Sequence, residues 1–174
     1  MKIISWNING IRAVMKKDFL GYLESEKPDI LCLQEIKIAT PMIIKEGFQE
    51  DYRNTTGESL EKHVFPGYQV FWNSAERPGY SGTAMLIKDK VLENNEFEVT
   101  NGMGVKEFDI EGRTQILEAK DFYLVNNYYT NANGELSRLP YKMEFNKALL
   151  KKIKKLEKSK PVIVTGDLNV AHEE

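Results

Sequence analysis

The residues with chemistry to offer lie at the ends of short apolar runs. The first run ends Trp6-Asn7-Ile8-Asn9-Gly10 and the second ends Leu33-Gln34-Glu35-Ile36-Lys37. A later run ends Asn126-Asn127-Tyr128-Tyr129-Thr130-Asn131, and the last ends Thr165-Gly166-Asp167-Leu168-Asn169. Strand alternation is expected to turn Asn7 with Asn9, and Asp167 with Asn169, to a common side. Carboxylate and carboxamide oxygens are hard donors suited to Mg²⁺ or Mn²⁺, and no cluster of Cys and His offers a zinc site. A carboxylate such as Glu35 can hold a metal against a phosphate while Asp167 orients or deprotonates a water for in-line attack. Taken singly, each of these residues is as readily a turn former, because Asn and Asp cap the turns that follow strands. Four such ends in one chain favour a site.

The elements that must position them follow from the apolar pattern. Strands are predicted at 2–8, 29–34, 68–73, 83–88, 114–118, 122–129 and 161–165. A helix is predicted over 16–26, with Phe19, Leu20 and Leu23 on one face and Lys27-Pro28-Asp29 ending it. Strand, helix, strand implies a right-handed crossover and a partly parallel sheet. A second helix is predicted over 139–156, where Phe145, Leu149, Ile153 and Leu156 recur on one face and Pro140 suits a first turn. Strands succeed one another directly between residues 68 and 129, so the class is α+β. The polar ends then gather at the C-terminal edge of the sheets. The stretch 39–64 is polar and poorly periodic, and predicts a short helix or a surface insertion.

Composition narrows the class. A chain of 174 residues suits a single domain, 1–174, with its own core. With 41% hydrophobic and 29% charged residues, disorder, collagen and coiled coil are excluded. A net charge of −2 argues against a polybasic nucleic-acid binder but not against a nuclease, whose site needs local carboxylates. Charge is nonetheless uneven, with nine Lys/Arg and two Glu between 138 and 160, read as lysines solvating the outer face of the second helix. The single cysteine, Cys32, excludes an intrachain disulfide framework and points to a reducing compartment. No apolar run approaches a membrane span, and residues 1–7 turn polar too early for a signal peptide. A soluble, cytoplasmic protein is the expectation.

Four motifs carry a resemblance. Ser5-Trp6-Asn7-Ile8-Asn9-Gly10-Ile11-Arg12-Ala13, Leu33-Gln34-Glu35-Ile36-Lys37, Gly79-Tyr80-Ser81-Gly82-Thr83-Ala84 and Gly166-Asp167-Leu168-Asn169-Val170-Ala171-His172-Glu173-Glu174 resemble the exonuclease III family of abasic-site endonucleases, in that family's order. The resemblance implies a DNase I-like four-layered α/β sandwich, of which this chain supplies the N-terminal part. It implies hydrolysis of a DNA phosphodiester 5′ to an abasic site, with 3′-end trimming, and Mg²⁺ or Mn²⁺ as cofactor. By the same resemblance Glu35 is the principal metal-binding carboxylate, with Asn7 beside it. Asp167 activates the attacking water, Asn169 helps to hold that water and the phosphate, and both stand close to the metal. Tyr128 contacts the scissile phosphate, while Asn9, Lys37, Arg113 and Asn131 match positions near the metal or the DNA backbone. Double-stranded DNA with abasic sites is the implied partner.

The resemblance also sets out departures. Family members run on beyond the Ala-His-Glu-Glu segment, adding most of the second sheet, a further metal-site aspartate and the Asp-His pair of a Ser-Asp-His-x-Pro motif. His63 and His172 match neither member of that pair. The stretch 39–64 is longer than in close relatives, and Thr130 stands where many members have proline. A half sandwich would bare one apolar face to water. The expectation is therefore a chain completed by its own continuation, by a complementary chain or by self-association, and inactive by itself.

Overall fold

The computed structural model describes residues 1–48, 50–53, 59–62 and 64–170; for residues 50–53 and 59–62 it describes the backbone. In chain order the elements are β1 (Ile3–Asn7), α1 (Ile11–Met15), α2 (Phe19–Glu26), β2 (Ile30–Gln34), α3 (Thr40–Lys45), β3 (Glu50–Arg53) and β4 (Ser59–Lys62). There follow β5 (Tyr68–Asn73), β6 (Thr83–Lys88), α4 (Asp89–Glu93), β7 (Glu98–Asn101), α5 (Lys106–Asp109), β8 (Thr114–Glu118), β9 (Tyr123–Tyr128), α6 (Leu139–Leu156) and β10 (Val162–Asp167).

Two four-stranded sheets, ordered β1-β2-β6-β5 and β10-β9-β8-β7, face each other, and β3 and β4 form a separate hairpin. Period-two alternation divides each sheet's side chains between an inner and an outer face. Ile30, Cys32, Met85 and Ile87 from the first sheet meet Leu117 and Leu124 from the second to form the central layer. Leu31, Leu33, Ala84 and Leu86, on the opposite face, pack with Ile11, Val14, Phe19, Leu23 and Ile43 of α1 to α3. On the far side Ile116, Tyr123 and Val125 pack with Phe145 and Leu149 of α6. Three apolar layers between helix, sheet, sheet and helix make the expected four-layered α+β sandwich.

The crossover reading holds, since β1 pairs parallel to β2 with Asn7 opposite Gln34. β10 likewise runs parallel to β9, placing Asp167 opposite Tyr128. The first helix differs from its expected span. Asp18 adopts φ 60° and accepts a hydrogen bond from the Gly21 amide, so it caps α2 and separates it from α1. Of the second sheet, most of which the resemblance assigns to the continuation, four strands are present in this chain. Both four-stranded sheets lie within this chain and pack face to face through Ile30, Met85, Leu117 and Leu124. The edge strands β1, β5, β7 and β10 each pair on one side only among the described residues, and Ile163 and Val164 of β10 are 43% and 40% exposed. No helix among the described residues is long and apolar enough to cross a membrane.

Cys32 lies fully buried in the central layer, where burial pushes its thiol up to about 12. A raised folded-state value favours the neutral thiol, so this contribution to stability is complete below about pH 8.5 and is lost as pH rises toward about 12. At pH 8 a disulfide reagent is expected to label Cys32 only at the rate of unfolding. Stoichiometric labelling of folded protein within seconds would show that the central layer is open.

Candidate active site

Both parallel pairs deliver polar residues to the same edge. β1 ends at Asn7 and β2 releases Glu35 one residue beyond its end. β9 ends at Tyr128 and β10 at Asp167. Because the two sheets face each other, these four side chains converge. Asn7 Nδ2 donates to Glu35 Oε1 at 2.9 Å and to Asp167 Oδ2 at 2.6 Å, so one carboxamide joins a carboxylate from each sheet. Tyr128 Oη donates to Glu35 Oε1 at 2.7 Å. Lys37 Nζ lies 2.7 Å from Glu35 Oε2 and also donates to Asn9 Oδ1. Burial raises the Glu35 carboxyl, but the hydrogen bonds from Asn7, Lys37 and Tyr128 and the Lys37 charge outweigh it and hold the group below the usual carboxylate range. The Tyr128 phenol moves upward, first by burial and then because it donates to Glu35.

The strand ends are also turns. The Asn9 amide donates to Asn7 Oδ1 at 3.0 Å, and the Asn169 amide donates to Asp167 Oδ1 at 2.9 Å. Asn9 and Asn169 both adopt φ 48°, beyond the strands, so turn geometry and not strand alternation sets the direction of their side chains. Asn169 turns instead to the Tyr129 carbonyl at 2.7 Å and accepts from Asn131 Nδ2 at 3.4 Å. Glu35 and Lys37 share the left-handed region, at 55° and 50°. Such conformations are costly for residues with a Cβ and gather at functional sites. Gly166 permits the close approach beneath Asp167: at φ 138°, a Cβ there would stand 1.8 Å from the Asn127 carbonyl oxygen.

The structure brings Asn7, Glu35, Tyr128 and Asp167 together, with Asn9, Lys37, Asn131 and Asn169 around them. Arg113 is 2% exposed, and its guanidinium donates to Glu111 and to the Tyr128 and Tyr129 carbonyls. Two contributors escaped the sequence reading. Lys142, taken as part of a solvated face, is buried and donates to the Asn169 carbonyl at 2.7 Å. Arg138 donates to Glu111 Oε1 at 2.7 Å. A signal existed: both cations sit at the N-terminal end of α6, where the helix dipole disfavours positive charge. Thr130 is fully buried and its hydroxyl has no partner among the described residues. His63 and His172 both lie outside the described residues.

The donor chemistry fits a hard divalent cation. Among the described residues no three His, Cys, Asp or Glu side chains gather into a metal cluster. Mg²⁺ does not need one, because it commonly takes one or two carboxylates and keeps several waters. Glu35 and Asp167, bridged by Asn7, are such a pair.

Residues 4–174 match the Endonuclease/Exonuclease/phosphatase family. The chain is 43% identical to an exodeoxyribonuclease of Bacillus subtilis, covering 100% of this chain and 60% of that protein. It is 40% identical to a DNA-(apurinic or apyrimidinic site) endonuclease of Dictyostelium discoideum, again over 100% of this chain but 43% of the relative. Among solved structures, the AP endonuclease LMAP from Leishmania major superposes with a TM-score of 0.81 at 30% identity, covering 99% of this chain and 56% of that one. The chain thus spans about half the length of these relatives.

Proposed function

Since the chain belongs to the Endonuclease/Exonuclease/phosphatase family, we propose that it carries the catalytic core of a metal-dependent DNA repair nuclease, cutting 5′ to abasic sites and trimming 3′ ends. The observation that carries this reading is the single Asn7 carboxamide joining Glu35 to Asp167. It holds a carboxylate from each sheet beside the other at the strand ends. Asp167, fixed through one oxygen by the Asn169 amide, is the group that orients an attacking water and takes its proton. Glu35 and Asp167, with Asn7 between them and Asn169 on Asp167, would hold Mg²⁺ or Mn²⁺. When bound, such an ion supplies neutralisation of the phosphate and of the departing 3′ oxygen. Tyr128 would offer its hydroxyl to a non-bridging phosphate oxygen, and Asn9, Lys37 and Asn131 would meet the DNA backbone.

The reading includes a completed sandwich. The open edges of β1 and β10 border the site, and strands paired there, from a continuation of this chain, a complementary chain or a second copy, would carry the rest of the DNA grip. In its complete form the protein is expected to nick a duplex containing one abasic site, on the 5′ side, only with Mg²⁺ or Mn²⁺, and Glu35→Gln is expected to stop it. Cleavage on the 3′ side, or undiminished nicking in chelator, would overturn the reading. Rapid nicking by the 174-residue chain as a monomer would remove the requirement for completed edges.

A further inference from the structure

Arg113 has no role in the chemistry above, yet it touches Tyr128 three times. Its Nη1 donates to the Tyr128 carbonyl at 3.2 Å and to the Tyr129 carbonyl at 3.4 Å. Its own carbonyl accepts from the Tyr128 amide at 2.8 Å. Its guanidinium carbon lies 4.6 Å from the centroid of the Tyr128 ring, within cation–π range. A tyrosine hydroxyl lies on the axis of its ring, so ring flips do not move it; the backbone and χ1 place it. Arg113 holds both.

The guanidinium is itself held from the other side. Nε donates to Glu111 Oε2 at 2.5 Å, and Nη2 donates to Tyr80 Oη at 2.9 Å. Arg138 completes the cluster by donating to the same Tyr80 hydroxyl at 2.5 Å and to the other Glu111 oxygen at 2.7 Å. Glu111 and Tyr80 therefore fix the plane of the Arg113 fork. Gly112 pins the intervening turn, since at φ 61° a Cβ there would stand 2.4 Å from the Asn73 carbonyl oxygen. Four segments meet in this cluster: the loop before β6, the turn before β8, the end of β9 and the start of α6. With Nε, Nη1 and Nη2 all engaged by protein acceptors and the side chain buried, little of the fork is left for a phosphate.

We propose that Arg113 is a positioning residue for Tyr128, aiming its hydroxyl at Glu35, and is not a DNA contact. The proposal rests on the reading of Tyr128 as a site group, and its test separates the two. Protein labelled with 3-fluorotyrosine gives a ¹⁹F resonance for Tyr128, assigned by its loss in Tyr128→Phe. In Arg113→Lys this resonance is expected to move or broaden without DNA or metal present, while that of Tyr22, remote from the cluster, stays in place. In the complete nuclease the same variant is expected to lower kcat about 100-fold, the scale of a slight misplacement at a reacting centre. KM and the salt dependence of DNA binding are expected to stay unchanged, whereas loss of a phosphate contact would reduce the salt slope by about 0.9. Glu111→Gln, which keeps the arginine but loosens its hold, is expected to fall between wild type and Arg113→Lys. A Tyr128 resonance unmoved in folded Arg113→Lys would overturn the proposal, as would a loss carried by KM and the salt slope. If wild-type protein fails to nick abasic DNA, the functional reading falls, and the ¹⁹F comparison still decides the placement of Tyr128.

Discussion

Asp167→Asn in the complete nuclease is expected to lower single-turnover cleavage of abasic duplex by about 10³-fold, within the range general-base catalysis supplies. The substitution keeps the shape of the side chain and lets one oxygen still accept from the Asn169 amide. It removes the proposed base, and it places a second amide opposite Asn7 Nδ2, which in the unsubstituted protein donates to Asp167 at 2.6 Å. Two donors cannot satisfy each other, so Asn7 is expected to turn from the site and loosen Glu35 as well. Thermal stability should change little, because Asp167 lies at the mouth of the sandwich and outside its three apolar layers. A cleavage rate within tenfold of wild type would remove Asp167 from the base role.

Phe145→Ala is expected to destabilise the fold by about 3–5 kcal/mol, the usual cost of emptying a large aromatic site in a core. Phe145 is fully buried and meets Phe108 edge-on at 5.5 Å and Tyr129 at 6.2 Å. It is the main anchor of α6 on the second sheet, and α6 carries Arg138 and Lys142 to their partners at the site. For a chain of this size the loss corresponds to a fall in Tm of roughly 10 °C. Urea unfolding measures it directly, and a change below about 1 kcal/mol would mean that α6 repacks without this ring. Activity should fall at temperatures where the variant is still folded, because the Lys142 hold on Asn169 is lost first.

The parts of the fold that were legible are those where local pattern and packing agree. The spans 68–73, 83–88, 114–118 and 139–156 match β5, β6, β8 and α6 residue for residue. These are elements whose apolar residues face a single large partner layer, so burial follows the period. α4, α5 and β7 were missed because four or five residues carry too little periodicity to read. The break between α1 and α2 depends on a left-handed Asp18, which the apolar spacing of Phe19 and Leu23 does not report. At the site, Asn7, Glu35, Tyr128 and Asp167 were legible because they end parallel strands. The burial of Arg113 was not, since it depends on Glu111 and Tyr80 being brought to it from two different loops. Lys142 was hidden by its neighbours, being one buried cation in a helix of solvated ones.

The left-handed backbones of Asn9, Glu35, Lys37 and Asn169 have a consequence for how this protein can change. Glycine would relax each of them, and at each it would delete a side chain that faces the site. Selection for thermal robustness and selection for turnover therefore pull in opposite directions at the same four codons. A library screened on stability alone should drift toward glycine there, while its survivors lose the proposed site. Improvements that spare activity must come from positions elsewhere in the fold.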